Sequence, residues 1–194
     1  MSSKRRYQKD KRKRQRLVSR LIWAGAGLVA LGLIGYALWV AFRPTYGESI
    51  PVMADSSHVP EDTDPGPYNS DPPTSGRHYE NTLQAGLYNE ADREGMGEYP
   101  EGFLVHNLEH GYVIFWYNCQ QLDEQGCTDL KAAIQQALDS AGNLKVIAFP
   151  WDSIDVPVVM TSWGKLQRFD SFDVDQAVAF VERNRNHAPE PNAP

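Results

Sequence analysis

Four of the five histidines fall between positions 58 and 110: His58, His78, His106 and His110. A neutral imidazole is a common ligand for zinc and copper, and such ions take about three or four side-chain donors. His58 opens and His78 closes a proline-rich stretch, HVPEDTDPGPYNSDPPTSGRH. His106 and His110 lie in EGFLVHNLEHGYV. The fifth, His187, sits in a polar tail and is assigned no role.

Whether His106 and His110 can share an ion depends on the backbone between them. In a strand, four residues separate them by about 13 Å, which is too far. On a helix, positions i and i+4 are neighbours at about 6 Å. Pro100 in a first turn and Gly111 as a C-terminal cap predict a short helix over 100–110. A hairpin turning in NLEHG would also bring the rings together. The string HNLEH also matches H-x-x-E-H, in which two histidines bind zinc and the glutamate activates water. A five-residue pattern is common by chance, and hydrolysis is the weakest of three readings.

The favoured reading is one transition ion, copper or zinc, on His58, His78, His106 and His110. Glu109 is expected behind the ligands, orienting an imidazole. Met160 is a soft donor if the ion is copper, although a strand methionine is more often core. The competing reading, from a different class, is a non-catalytic interaction module of the cell envelope. There the His/Glu cluster stiffens the loop and PPTSG presents a surface to a membrane protein partner.

These residues need a scaffold, and the C-terminal half supplies its pattern. Tyr112 to Tyr117, YVIFWY, reads as a strand from its β-branched and aromatic content. Leu130, Ala133, Ile134, Ala137 and Leu138 recur at helical spacing, which predicts a helix over 128–142 with Thr128 as N-cap. Lys145 to Phe149 and Val156 to Ser162 read as strands, and Gly164 turns the second into a return strand through Leu166 to Phe169. Asp173, Val174, Ala177, Val178 and Val181 predict a last helix over 174–185. The pattern is a small α+β domain, a mixed sheet with helices packed on one face.

Cys119 and Cys127 are the only cysteines, so a disulfide-dense miniprotein is excluded. Their spacing is neither C-x-x-C nor a zinc knuckle. A structural disulfide closing QQLDEQG is the expected use.

The net charge of −6 hides a division. Residues 1 to 20 hold ten Lys or Arg and one acid, a net of +9, and the remainder holds nine bases and 24 acids, a net of −15. Between them Leu21 to Phe42 carries no charge over 22 residues. A helix of that length spans roughly 33 Å, close to a bilayer core of about 30 Å. The run exceeds a signal-peptide core of about 7–15 residues.

The expected organisation is therefore a basic cytoplasmic arm over 1–20, a transmembrane helix over 21–42 and a stalk over 43–57. An extracytoplasmic domain over 58–187 and a disordered tail over 188–194 complete it. The arm and anchor are expected to meet membrane lipids, and nucleic acid is not an expected partner.

DPPTSGRH, GLY at 86–88, VHNLEHGYVIFWY and SWGKLQRFD together resemble the bacterial family catalogued as domain of unknown function 3105. The resemblance spans about residues 58 to 190. Its motif residues fall here on Pro72, Pro73, Ser75, Gly76, His78, His106, Leu108, Glu109, His110 and Gly111. Members look like single-pass, N-terminally anchored proteins with an outer domain. The resemblance implies fold and topology and supplies no reaction.

Overall fold

A computed structural model describes the backbone of residues 2–42 and 46–193, and the side chains of residues 16–39 and 46–193. The chain forms two compact units, Met1–Pro44 and Thr45–Pro194. The first is helix α1, Ser2–Phe42. Within it Arg16–Trp39, 24 residues, is long and apolar enough to cross a membrane. Its large apolar side chains, Leu21, Ile22, Trp23, Leu28 and Ile34 among them, are all exposed. Among the described residues of the unit nothing covers that surface, which fits a helix solvated by lipid.

The second unit is a six-stranded mixed sheet with helices, so the α+β class expected from sequence holds. In chain order it comprises β1 (Glu48–Ser49), β2 (Gly86–Leu87), α2 (Glu90–Glu94), α3 (Glu101–Glu109), β3 (Val113–Tyr117) and α4 (Glu124–Ser140). It closes with β4 (Val146–Pro150), β5 (Val158–Ser162), β6 (Lys165–Phe169) and α5 (Val174–Asn184). The sheet order is β1-β6-β5-β3-β4-β2. β3 and β4 pair in parallel, with α4 as the crossover between them. A parallel return needs such a crossover, whereas β5 and β6 pair antiparallel across a tight turn at Gly164.

β3 is buried along its whole length, which explains its continuous apolar run. Val113, Phe115 and Tyr117 pack with Leu130, Ile134 and Leu138 of α4 and Ala177, Phe180 and Val181 of α5. Ile114 and Trp116 face the other way, with Leu104 and Leu108 of α3. Thus α4 and α5 share one face as expected, and α3 adds a helix to the other.

Several local expectations shift. α4 begins earlier than its apolar stripe suggests, because Asp123 is the N-cap and accepts from the Gly126 amide at 2.7 Å. Thr128 lies inside the helix, where its hydroxyl donates to the Glu124 carbonyl at 2.9 Å. The Cys119–Cys127 disulfide therefore joins the end of β3 to the first turns of α4. Part of the expected stalk is woven into the sheet: Glu48 and Ser49 pair with Leu166 and Lys165. The tail is also tied down. Glu190 N–H donates to the Glu109 carbonyl, and Lys145 Nζ donates to the carbonyls of His110, Pro191 and Ala193.

Candidate metal centre

The proline-rich stretch has almost no regular structure, yet it is held at many points. Tyr68 hydroxyl donates to the Arg77 carbonyl, and Arg77 guanidinium donates to the carbonyls of Pro65 and Gly66. The Met53 amide donates to Ser75 Oγ, and Tyr79 hydroxyl donates to the Thr63 carbonyl. These bonds satisfy backbone and side-chain groups that no helix or strand ladder could serve in so proline-rich a segment. Pro72, Pro73, Thr74, Ser75 and Gly76 are all buried. PPTSG is thus internal support, not the exposed surface that the interaction reading required.

Gly76 occupies φ +127, and a Cβ there would meet Met53 Sδ and the Tyr68 ring at 2.9 Å. Only glycine suits that conformation in that space. The resulting loop aims the Gly76 carbonyl at His78 Nδ1, 2.9 Å away. A carbonyl accepts, so Nδ1 carries the proton and neutral His78 presents a lone pair at Nε2. His58 reaches the same place through a parallel bridge to His78. Val59 N–H donates to the His78 carbonyl at 2.8 Å, and His78 N–H donates to the Ser57 carbonyl at 3.3 Å.

The remaining donors come from α3, the helix expected over 100–110. Tyr79 lies against Gly102, and its amide donates to the Gly102 carbonyl at 3.1 Å. A Cβ on Gly102 would sit 2.6 Å from the Tyr79 ring. Glycine at that position lets the residue after His78 seat directly on the helix. Gly111, at φ +83, ends α3 and turns the chain into β3.

His58, His78, His106 and Glu109 offer ligand atoms that all lie within 4.8 Å of one another. The ring centroids of the three histidines are 4.8 to 5.0 Å apart. Around a tetrahedral ion with bonds near 2.1 Å, neighbouring donors sit about 3.4 Å apart. Closing the group is therefore a movement of about 1–1.5 Å.

His106 and Glu109 occupy positions i and i+3, which share a helix face. Glu109 therefore stands among the donors, not behind them. His110 falls outside this group. Its ring is 4.4 Å from that of His106, and its Nε2 lies 3.5 Å from Glu190 Oε2. The H-x-x-E-H peptidase pattern wants both histidines on the ion and the glutamate off it. This geometry departs from that pattern on both counts. Met160 packs with the α4/α5 side of the sheet and is no part of the site.

The electrostatics of the cluster are unusual for a core. His78 is fully buried, and Glu109 Oε2 lies 3.1 Å from its Nε2 without the alignment of a hydrogen bond. His106 Nδ1 is buried with no hydrogen-bond partner. Burial, followed by His110, His78 and His58, pushes the His106 pKa down to about 4, against a backbone contact from Asn81. At neutral pH His106 is therefore an uncharged lone-pair donor.

Sequence reasoning missed Gly102 with Tyr79, and the tail contacts of Glu190 and Lys145. These are tertiary contacts with no local pattern. Sequence reading named His58, His78 and His106, three of the four residues of the group, and placed Glu109 beside them in another role.

The fold and cluster define a class: a mixed-sheet α+β domain that brings three histidines and a glutamate together between a rigid loop and one helix. The chain belongs to the family described as protein of unknown function (DUF3105), whose sequence model matches residues 58–194. The match includes both histidine motifs and the C-terminal segment that docks on α3. No curated protein matches the chain, and no solved structure does.

Proposed function

We propose that this is a single-pass, membrane-anchored protein whose extracytoplasmic domain binds one transition ion through His58, His78, His106 and Glu109. The carrying observation is the buried approach of His78 Nε2 to Glu109 Oε2 at 3.1 Å, with His78 Nδ1 already committed to Gly76. A lone pair facing a carboxylate is repulsive unless a proton or cation stands between them. The two further imidazole donors nearby, His58 and His106, favour a metal cation.

The donor set is nitrogen and oxygen. Both cysteines are bonded to each other, and Met160 lies on the opposite side of the sheet. Without sulfur the site suits zinc or copper(II) better than copper(I). The apolar Arg16–Trp39 helix and the basic residues before it support an N-terminus in the cytoplasm. The disulfide supports placing the folded domain outside it. The basic arm then meets anionic lipid headgroups.

Elemental analysis tests this reading on the full chain in detergent micelles. After reconstitution with zinc or copper(II), one ion per chain is expected, and none in His106→Leu. A metal-free unmutated protein would overturn it.

A further inference from the structure

The four donors are not equivalent, and the difference bears on what the ion does there. Three of them are internal. His78 is 0%, His106 6% and Glu109 9% exposed. Each is held by something other than the ion: His78 by the Gly76 carbonyl, His106 and Glu109 by α3. His58 is exposed, as are Ala54, Asp55, Ser56 and Ser57 before it and Pro60 after it. Its neighbours Ser57 and Val59 attach the segment to the His78 backbone by two hydrogen bonds. No hydrogen bond to the His58 ring is present among the described residues. A rotation about its side-chain bonds moves that ring toward water and breaks no hydrogen bond among the described residues, giving up only its ring contacts with His78 and His106.

We propose that His58 is the exchangeable ligand of the site. His78, His106 and Glu109 form a preset three-donor base. Departure of His58 opens one coordination position to solvent or to an incoming donor of the imidazole or carboxylate class. Structural metal sites are closed by four fixed protein ligands, whereas sites that exchange or react keep one position open. This site is of the second kind, with His58 as its removable cover. The ion enters and leaves past His58, and a histidine or carboxylate side chain of a delivering or receiving protein takes its place during transfer.

This proposal rests on the reading of the four residues as ligands. The two fail differently. The full chain in detergent micelles is loaded with zinc, and release to an excess of chromogenic chelator is followed in the unmutated protein, His58→Ala and His106→Leu. His58→Ala is expected to retain one zinc per chain and to release it about tenfold faster or more. Free imidazole, the missing side chain in soluble form, is expected to slow that release again. Cobalt(II) in the same variant should change its visible spectrum when imidazole is added.

If His58→Ala binds no zinc, as expected of His106→Leu, the site is a closed four-ligand site and the proposal falls. If its release rate equals that of the unmutated protein and imidazole has no effect, His58 is no ligand and the proposal falls. In the first case the metal reading survives on all four residues, in the second on the inner three. Absence of zinc from the unmutated protein overturns both.

Discussion

Alternate residues of β3 enter two different interiors. Val113, Phe115 and Tyr117 meet α4 and α5 in a continuous apolar layer. Ile114 and Trp116 meet α3, and beyond α3 lie the proline-rich loop and the histidines. Buried polar side chains are concentrated on the second side: Thr74, Ser75, His78, His106, Asn107 and Glu109 are all nearly or fully covered. The first interior is apolar throughout, whereas the second has an apolar layer against the sheet and, beyond α3, a polar one held by hydrogen bonds to backbone carbonyls and by glycines that permit close approach. A layer of the first kind stabilises the fold. A polar layer of the second kind stabilises less, because its buried groups must be hydrogen-bonded to offset their lost hydration.

The contrast breaks most severely on the helix side. Phe115 is fully buried in the apolar layer, with Phe172 6.4 Å from its ring centroid. Phe115→Ala removes that area and leaves a cavity, a loss of about 3–5 kcal/mol. Chemical denaturation of the metal-free protein measures it. The surviving folded fraction should still bind one zinc, because Phe115 contacts no donor. Loss of zinc from the folded fraction would mean that the two interiors are not independent.

That division also explains what the sequence made readable. Helices α4 and α5 carry period-3.6 stripes, β3 to β5 carry β-branched or aromatic runs, and Gly164 marks the turn into β6, so the helix side follows from local pattern. Phe180 escaped the α5 stripe, and the start of α4 escaped because Asp123 caps it ahead of its apolar residues. On the other side the residue types were legible and the assembly was not. His58, His78 and His106 converge because a parallel bridge, a glycine-dependent loop and a helix meet there. Each is a contact between segments distant in sequence. That the grouped donor atoms include Glu109 and leave out His110 was hidden for the same reason. Helical spacing places both residues near His106, and only the docking of the loop decides which one faces the other two rings.

A smaller effect tests how the loop side is held together. In an exposed helix interior, Gly→Ala stabilises by about 1 kcal/mol. At Gly102 the added Cβ would stand 2.6 Å from the buried Tyr79 ring. Overpacking costs about 1–3 kcal/mol, so the clash outweighs the propensity and Gly102→Ala is expected to destabilise. Tyr79 follows His78 directly, so zinc affinity should fall by about tenfold although Gly102 touches no donor. Thermal unfolding and zinc titration read the two effects separately. A stabilised variant with unchanged affinity would show that Tyr79 is free to move, and that the loop does not depend on this contact to place His78.

The smallest change asks whether the polar interior is kept for stability or for use. His106 is 6% exposed, with Nδ1 unpartnered. A buried polar atom without a partner costs free energy in the folded state, and replacing it with an apolar group of similar size relieves that cost. Leucine fills a similar volume and has good helix propensity. His106→Leu is therefore expected to leave the metal-free protein as stable as before or to stabilise it by up to about 1 kcal/mol, by thermal unfolding. The same substitution removes a central donor and should abolish zinc binding. A histidine retained for packing would behave oppositely, with lower stability and no change in zinc affinity. The two readings thus differ in the sign of one effect and the presence of the other, and a single variant separates them.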